Sequence, residues 1–161
     1  MTSQKGFTYL GLLFAIAIIG ITLATVGTVW SVQIRREKEA QLLFAGDQIR
    51  AAIGRYYNDA PAGAHVFPAS LDDMLEDRRW PQVHRQLRRV YFDPMTASTD
   101  WQLVMAPEGG IMGVATAATD KPIKQANFNT ADSDFEAAEC YCDWKFVYRP
   151  SLRGRRIQPK H

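Results

Sequence analysis

Hydrophobic residues fill the first part of this chain without a break. Between Phe7 and Val32 there are 26 residues and no charged side chain. A helix of that length spans about 39 Å at ~1.5 Å per residue, which exceeds the roughly 30 Å hydrocarbon layer of a bilayer. The pattern therefore predicts a transmembrane helix over residues 7–34. A buried core helix and a cleaved signal peptide are the alternatives, although a signal peptide has a shorter apolar region that ends at an Ala-x-Ala type of site.

Apolar residues then recur at helical spacing among charged ones, which predicts an amphipathic continuation of the same helix over residues 35–58. A charged collar from Arg35 to Glu39 comes first. The segment from Asn58 to Gly63 contains Pro61 and is typical of a helix end. The apolar positions of the continuation follow one another at steps of seven, four and three and are Leu42, Ile49, Ile53 and Tyr56.

The segment 59–149 is long enough for one small globular domain. Ser70 and Asp73 have the spacing of a helix-capping box, which predicts a short helix with Leu71, Met74 and Leu75 facing the core. A second short helix is predicted over Gln82–Arg89, with Val83, Leu87 and Val90 inward. Residues 150–161 form a basic, proline-bounded tail.

Strand patterns lie in the second half of this domain. Trp101–Met105 and Ile111–Ala115 flank the turn Pro107–Gly110, which predicts a β-hairpin. Thr119–Asp134 contains few apolar residues and is predicted to be a surface loop. Alternation from Cys140 to Tyr148 predicts a last strand whose core face carries both cysteines with Trp144, Phe146 and Tyr148. The predicted fold class is α+β: a long N-terminal helix packed on a small antiparallel β-sheet domain with short helices.

Composition and motif content argue against nucleic-acid binding, metal binding and catalysis. The formal net charge is only +2, so overall charge does not indicate a nucleic-acid partner. A disulfide between Cys140 and Cys142 would close a very small ring with almost no gain in loop entropy, so we expect two buried cysteines of hydrophobic character. The three histidines have no metal-ligand spacing. Nucleophile elbows, phosphate loops and histidine metal motifs are absent from the sequence, so we predict no catalytic residues, metal or cofactor and a protein that is not an enzyme.

Two local patterns could still bind ions. Arginine is the more abundant cation and is clustered, so that an anion-binding surface is possible although a solvated or ion-paired face is the simpler interpretation. Asp132, Asp134 and Glu136 have a spacing that suits oxygen ligands, but the segment lacks turn glycines and calcium is not expected. The candidate anion-binding residues are Arg78, Arg79, Arg85, Arg88 and Arg89, with a second group at Arg149, Arg153, Arg155 and Arg156.

The N-terminus resembles a known processing signal. Lys5 and Gly6, followed by Phe7, Thr8, Tyr9 and Leu10 at the start of an apolar helix, are similar to the class III signal of type IV pilins and of type II secretion pseudopilins. The later order of elements resembles the G-type pseudopilins more specifically. It includes Phe67-Pro68 before the Ser70 capping box, then Asp93-Pro94-Met95 and a short antiparallel sheet.

The resemblance implies a structural role. A prepilin peptidase would remove the leader, residues 1–6 with Lys5, by cutting between Gly6 and Phe7, and would methylate the new amino group of Phe7. The expected partners are other pseudopilins or further copies of this chain in a filament, the inner-membrane assembly platform and the lipid bilayer. Family members carry a glutamate at the fifth residue after the cut, where this chain has Gly11. Gly11 makes insertion easier but removes a contact that sets subunit register.

The resemblance also implies a location. The chain would cross the bacterial inner membrane once, with a cytoplasmic N-terminus and a periplasmic domain at residues 59–149. Arg35, Arg36 and Lys38 oppose this orientation under the positive-inside rule, but Gly6 and Phe7 can be processed only from the cytoplasmic side. Protein secretion is the preferred function. The alternatives are a minor type IV pilin acting in adhesion, motility or DNA uptake, and a membrane-anchored periplasmic enzyme; the sequence disfavours nucleic acid as a partner.

Overall fold

One long helix begins the described part of the chain. The computed structural model describes residues 5–150, apart from the side chains of residues 5–7, 22–29 and 62. Helix α1 extends over Lys5–Asn58 and confirms the predicted continuous helix and its end at Asn58. The chain divides into two compact units, Met1–Glu37 and Lys38–His161, so α1 belongs to both. In the part of the chain that the structure describes, no helix reaches the length and hydropathy expected of a membrane-spanning helix.

In the first unit, α1 presents large apolar side chains to its surroundings. Tyr9, Phe14, Ile21 and Trp30 are 65%, 63%, 67% and 68% exposed, respectively. Bulky apolar groups in an uninterrupted run differ from the scattered exposed hydrophobic residues of an ordinary soluble surface. This part of α1 therefore presents large apolar side chains at its surface.

The second unit has a conventional hydrophobic core built around the last five turns of α1. Leu42, Ile49, Ile53 and Tyr56 are all buried, as the amphipathic pattern predicts. They pack against aromatic residues from the C-terminal half of the chain. Among these, Trp144 stacks on Phe135 with 5.6 Å between ring centroids and meets Tyr141 edge to face at 5.3 Å.

The sheet of this unit has three antiparallel strands in the order β1-β2-β3. Strand β1 is Gln102–Met105, β2 is Ile111–Ala115 and β3 is Phe146–Val147. The predicted hairpin is therefore confirmed, and the α+β class with it. Gly109 and Gly110 have φ values of 93° and 82° in the connection, a region that favours glycine.

Two glycines let α1 lie directly against the C-terminal strand. A Cβ built on Gly46 would overlap the ring of Phe146, which is fully buried. Two turns further along, a Cβ on Gly54 would lie 2.9 Å from the ring of Tyr148, which is half-buried. The aromatic rings thus fill the space that side chains at positions 46 and 54 would occupy.

The predicted short helices fared differently. The capping box is present, since Ser70 Oγ accepts a bond from the Asp73 backbone N–H at 3.2 Å and Asp73 Oδ2 accepts one from the Ser70 N–H at 2.9 Å. The helix is a single 3₁₀ turn at Asp72–Met74. The second helix, over residues 82–89, was a wrong prediction. The backbone N–H groups of Gln86 and Leu87 both donate to the Met74 carbonyl at 2.9 Å, and Val83 is 73% exposed.

The segment 119–134 is more than a surface loop. Pro122 and Asp132 are buried, and a 3₁₀ helix spans Thr130–Phe135. Glu39 holds the segment from α1: its Oε1 accepts bonds from the Ile123 N–H at 2.6 Å and the Lys124 N–H at 3.1 Å. Tyr141 donates its hydroxyl to the same oxygen at 2.9 Å. The prediction of a loop outside the core failed because a buried carboxylate attaches the segment, together with Phe128, whose ring meets Trp144 edge to face at 5.5 Å.

The last predicted strand is wrong over its first half. A 3₁₀ turn at Tyr141–Asp143 interrupts the alternation, and Cys140 and Cys142 form a disulfide with a Cα–Cα distance of 5.1 Å. Both cysteines are half-buried, whereas Tyr141 between them is 1% exposed. The expected core face therefore carries Tyr141 in place of the cysteines.

Removing this disulfide is expected to destabilise the fold only slightly. A bridge that closes a three-residue loop constrains the unfolded chain by about 1.6 kcal/mol at most in the loop-entropy treatment. We expect a Cys140→Ser, Cys142→Ser variant to lose no more than this in the free energy of unfolding, measured by denaturant titration of the full chain in a non-ionic detergent. A loss above about 3 kcal/mol would show that the bridge holds the 3₁₀ turn in place.

Candidate functional site

The predicted processing site lies at the beginning of α1. Lys5 is the first residue of the helix, so the peptide bond between Gly6 and Phe7 falls in its first turn. Residues 1–4 of the leader and the side chains of Lys5 and Phe7 lie outside the described part of the chain. Gly11 lies on the same helix with no atom within 4 Å of a Cβ built on it. Cleavage and methylation at this site stay predictions.

The five arginines predicted as one anion-binding cluster do not form a single surface. Arg79 points into the globular unit, Arg85 and Arg88 line a cavity, Arg89 lies over an aromatic ring, and Arg78 is exposed. A continuous basic track, which a polynucleotide backbone would need, is not what these side chains form. They contribute to two separate polar sites.

Arg79 belongs to a buried ion pair. Its Nη2 lies 2.6 Å from Asp77 Oδ2 and its Nε lies 2.8 Å from Asp77 Oδ1, so the two planar groups meet in a bidentate pair. The Asp77 side chain is 0% exposed. The guanidinium carbon also lies 3.4 Å from the centroid of the Tyr56 ring, and Nη2 donates to the Tyr56 carbonyl at 2.8 Å. Arg79 therefore joins the segment after the 3₁₀ turn to the end of α1.

The electrostatics of this pair follow from its contacts. The hydrogen bonds that Arg79 donates hold the pKa of Asp77 below its ordinary value of 3.8, against the opposing effect of burial. The same pairing raises the pKa of Arg79. Burial raises the pKa of Tyr56. Asp77 is thus held as a carboxylate, and the pair is structural in character.

Arg85 and Arg88 line a different site, a cavity of about 400 Å³ beside the end of α1. Arg55, from the last turn of α1, is the third guanidinium of this cavity. Among the described residues, no acidic one lines it. The lining is completed by Gln48, Gln86, Leu87 and Tyr91. We call this site the arginine cavity.

Hydrogen bonds fix the backbone of the arginine cavity. Gln86 and Leu87, which lie between the two arginines in the sequence, are both buried and are tied to the Met74 carbonyl. Arg55 Nη2 donates to the Gln86 carbonyl at 2.8 Å. The wall at Tyr91 is held by Phe44, whose ring meets it edge to face at 5.9 Å, and by Arg89, whose guanidinium carbon lies 5.4 Å from the ring centroid.

Sequence reasoning missed Arg55 and Gln48. Their seven-residue separation puts them on one face of α1, two turns apart, and this spacing was a usable signal. It went unread because the apolar positions alone defined the helix. Arg85 and Arg88 were found by sequence clustering, which also grouped them with Arg79, a residue that serves a different purpose.

The acidic and sulfur-containing residues considered as ligands have other partners. Asp132 pairs with Arg50 at 2.8 Å and Asp134 pairs with Arg149 at 2.9 Å. Cys140, Cys142 and Asp143 lie close enough to share an ion, but the two sulfur atoms are joined in the disulfide and are not thiolates. Arg153, Arg155 and Arg156 of the second basic group lie outside the described residues.

Comparison with known proteins identifies no relative. No family model, no curated protein and no solved structure matches this chain.

Proposed function

We propose that this protein is a pseudopilin-like subunit of a type II secretion filament, processed by prepilin peptidase and assembled through α1 to support protein export. Its role is structural and not enzymatic. The observation that carries the proposal is α1 itself. One helix exposes a run of apolar side chains in its first unit and forms the core of a small α+β unit with its last turns.

The exposed apolar side chains of α1 would be buried in two environments in turn, first in the lipid bilayer and then in the filament. Before assembly, lipid would surround the segment 7–34 in a single-pass inner-membrane protein with a periplasmic globular unit. After assembly, the equivalent helices of neighbouring subunits would replace lipid. Association of apolar helices depends on close packing, and Gly11 and Gly20 leave open surface on α1 for such an approach.

The globular unit supports the proposal through its construction. Gly46 and Gly54 seat the sheet against α1, and Glu39 fixes the segment 119–134 to the same helix. The unit is thus built onto the helix that would form the filament core. A subunit of this kind can display a folded domain on a filament without a separate linker.

Proteolytic processing gives the sharpest test. Co-expression of the full chain with a prepilin peptidase is expected to remove Met1–Gly6 and to leave a methylated Phe7, because glycine offers no side chain to obstruct the cut. Intact-mass spectrometry of the membrane fraction measures both events. Gly6→Ala is expected to prevent them.

Gly20→Ala provides the matched control, since it makes the same substitution on α1 away from the predicted cut and in open space. It should be processed like the parent chain. If the parent chain keeps its leader when the peptidase is active on a known substrate, the proposal is wrong. Recovery of the chain without detergent in the soluble fraction would contradict the membrane anchor.

The minor-pilin alternative makes a different prediction for cells. Deleting the gene should lower the amount of exported enzymes in the medium if the chain serves secretion, and should impair twitching motility if it serves a surface pilus. Unchanged secretion with lost motility would replace the proposed function by that alternative.

A further inference from the structure

We propose that the arginine cavity binds a phosphate group, carried by inorganic phosphate, a small phosphate monoester or a phospholipid headgroup. The proposal concerns the globular unit alone and does not depend on filament assembly. It rests on three guanidinium groups, those of Arg55, Arg85 and Arg88, around one cavity of about 400 Å³.

The first argument is the absence of compensating charge. Among the described residues, no carboxylate oxygen lies within ion-pair distance of these three arginines. Arg55, Arg85 and Arg88 are exposed, whereas Arg50, Arg79 and Arg149 of the same unit each meet an aspartate at 2.9 Å or less. Like charges that share a site repel one another unless an anion joins them. The arginine cavity is therefore a positive site whose three arginines have no carboxylate partner among the described residues.

The second argument is that the site is already organised. The segment carrying Arg85 and Arg88 is irregular, yet the buried Gln86–Leu87 pair fixes it through two hydrogen bonds to Met74. The Gln86 amide nitrogen lies 3.0 Å from His84 Nδ1 and 3.5 Å from Asp59 Oδ2. Because the backbone is held before any ligand arrives, binding costs little ordering of the chain.

The third argument identifies the anion. Each guanidinium has five N–H donors in a planar fork, and only one donor of Arg55 has a partner in the cavity wall. A single carboxylate offers two oxygens with about four acceptor positions, which are too few for the N–H donors of three guanidinium groups. A phosphate monoester offers three terminal oxygens and a charge near −2 at neutral pH, so it matches three arginines in both donors and charge.

The shape of the basic region argues against a polynucleotide. A polynucleotide backbone carries single phosphate charges in a long row and is bound by an extended basic surface. Here Arg79 is paired with Asp77, Arg89 lies over the Tyr91 ring and Arg78 is exposed away from the cavity. Arg85 and Arg88 line one cavity together with Arg55. A small ligand or a single headgroup fits this arrangement better.

The test uses the full chain in a non-ionic detergent at constant ionic strength. Titration with inorganic phosphate and with glycerol 3-phosphate, followed by calorimetry, is expected to show one saturable site that sulfate competes for and chloride does not. Arg85→Gln with Arg88→Gln should weaken binding at least tenfold, because two of three charged forks are lost. Arg78→Gln is the matched control and should change the affinity less than twofold, since Arg78 is exposed and does not line the cavity.

Further arms separate the sources of phosphate. Detergent micelles doped with phosphatidic acid should compete with glycerol 3-phosphate if the natural ligand is a headgroup, while micelles doped with phosphatidylcholine should not. Competition by free phosphates without competition by phosphatidic acid would assign a soluble ligand. Both results support the proposal, and neither depends on whether the leader is cleaved.

Two results would overturn it. Equal affinity of the parent chain and the Arg85→Gln, Arg88→Gln variant for phosphate would show that the cavity is not the site. Binding of a single-stranded oligonucleotide that is lost in the variant, with no binding of small phosphates, would assign the arginines to nucleic acid. Near-ultraviolet circular dichroism of the variant checks that the fold is intact, which the exposure of both arginines leads us to expect.

Discussion

Replacing Arg79 with methionine is expected to lower the free energy of unfolding by about 3 kcal/mol at neutral pH. Methionine keeps much of the side-chain volume over Tyr56 but leaves Asp77 as a fully buried carboxylate without its cation. Breaking a buried pair on one side is far more destabilising than losing an exposed one. Denaturant titration of the full chain in a non-ionic detergent, followed by tryptophan fluorescence, measures the effect.

Arg78→Met is the control, because Arg78 is the neighbouring residue and is exposed. It should change stability by less than about 0.5 kcal/mol. An equal loss in both variants would mean that the buried pair contributes nothing specific. An equal stability of parent chain and Arg79→Met would contradict the role assigned to Arg79.

The pH dependence gives an independent signature of the same pair. Since the pKa of Asp77 is lowered below 3.8 in the folded state, its contribution to stability is complete above that value and is lost as the pH falls through the folded pKa. In Arg79→Met the buried carboxyl is stabilised by protonation instead, so the difference between the two proteins should shrink below about pH 4. A difference that stays constant between pH 7 and pH 3 would exclude this explanation.

Gly46→Ala is expected to destabilise the globular unit by about 2 kcal/mol. An alanine usually stabilises a helix relative to glycine by up to ~1 kcal/mol. Here the new methyl group would overlap the Phe146 ring, which is fully buried. Denaturant titration measures the loss, and packing against the sheet should outweigh helix propensity.

Gly54→Ala and Phe146→Leu sharpen this test. The Cβ of Gly54→Ala would meet the half-buried Tyr148 ring less closely, at 2.9 Å, so its loss should be smaller than that of Gly46→Ala. Phe146→Leu removes ring atoms from the contact, so Gly46→Ala should cost less in that background than alone. Additive effects of the two substitutions would show that position 46 and the ring do not meet.

Local chemistry accounts for what the sequence predicted well. The end of α1 at Asn58 follows from the proline and glycine that come after it, and the Ser70–Asp73 capping box depends on atoms three residues apart. The β1–β2 hairpin likewise depends on a short connection with glycines. Each of these features is decided by neighbours in the chain, so periodicity and turn chemistry are enough.

Contacts between distant residues account for the failures. The helix predicted at 82–89 does not form because Gln86 and Leu87 donate backbone hydrogen bonds to Met74 instead. The first half of the last predicted strand is replaced by a 3₁₀ turn that buries Tyr141. The attachment of the segment 119–134 depends on Glu39, more than eighty residues earlier in the chain. Such pairings leave no periodic trace in the sequence.

The two kinds of glycine make the same point. Gly11 lies in the apolar run, whereas Gly46 and Gly54 lie in the amphipathic continuation of α1, where the apolar periodicity does not reveal which glycines contact the sheet. The structure gives the latter pair the closer contacts in the globular unit. Only part of the arginine cavity is predictable from the sequence. Arg85 and Arg88 cluster in the sequence, whereas Arg55 is brought to them by the fold.

Glu39 acquires a mechanical meaning if the subunit is drawn from a membrane into a filament. Glu39 is the first buried side chain in the globular unit's part of α1. One of its carboxylate oxygens accepts hydrogen bonds from the Ile123 and Lys124 N–H groups and from the Tyr141 hydroxyl. Three bonds on one atom share a pulling force in parallel, and rupture requires them to fail together. A force pulling on the N-terminal part of α1 would therefore first act on the hydrogen bonds of Glu39. These bonds would keep the globular unit attached to the helix while the helix moves.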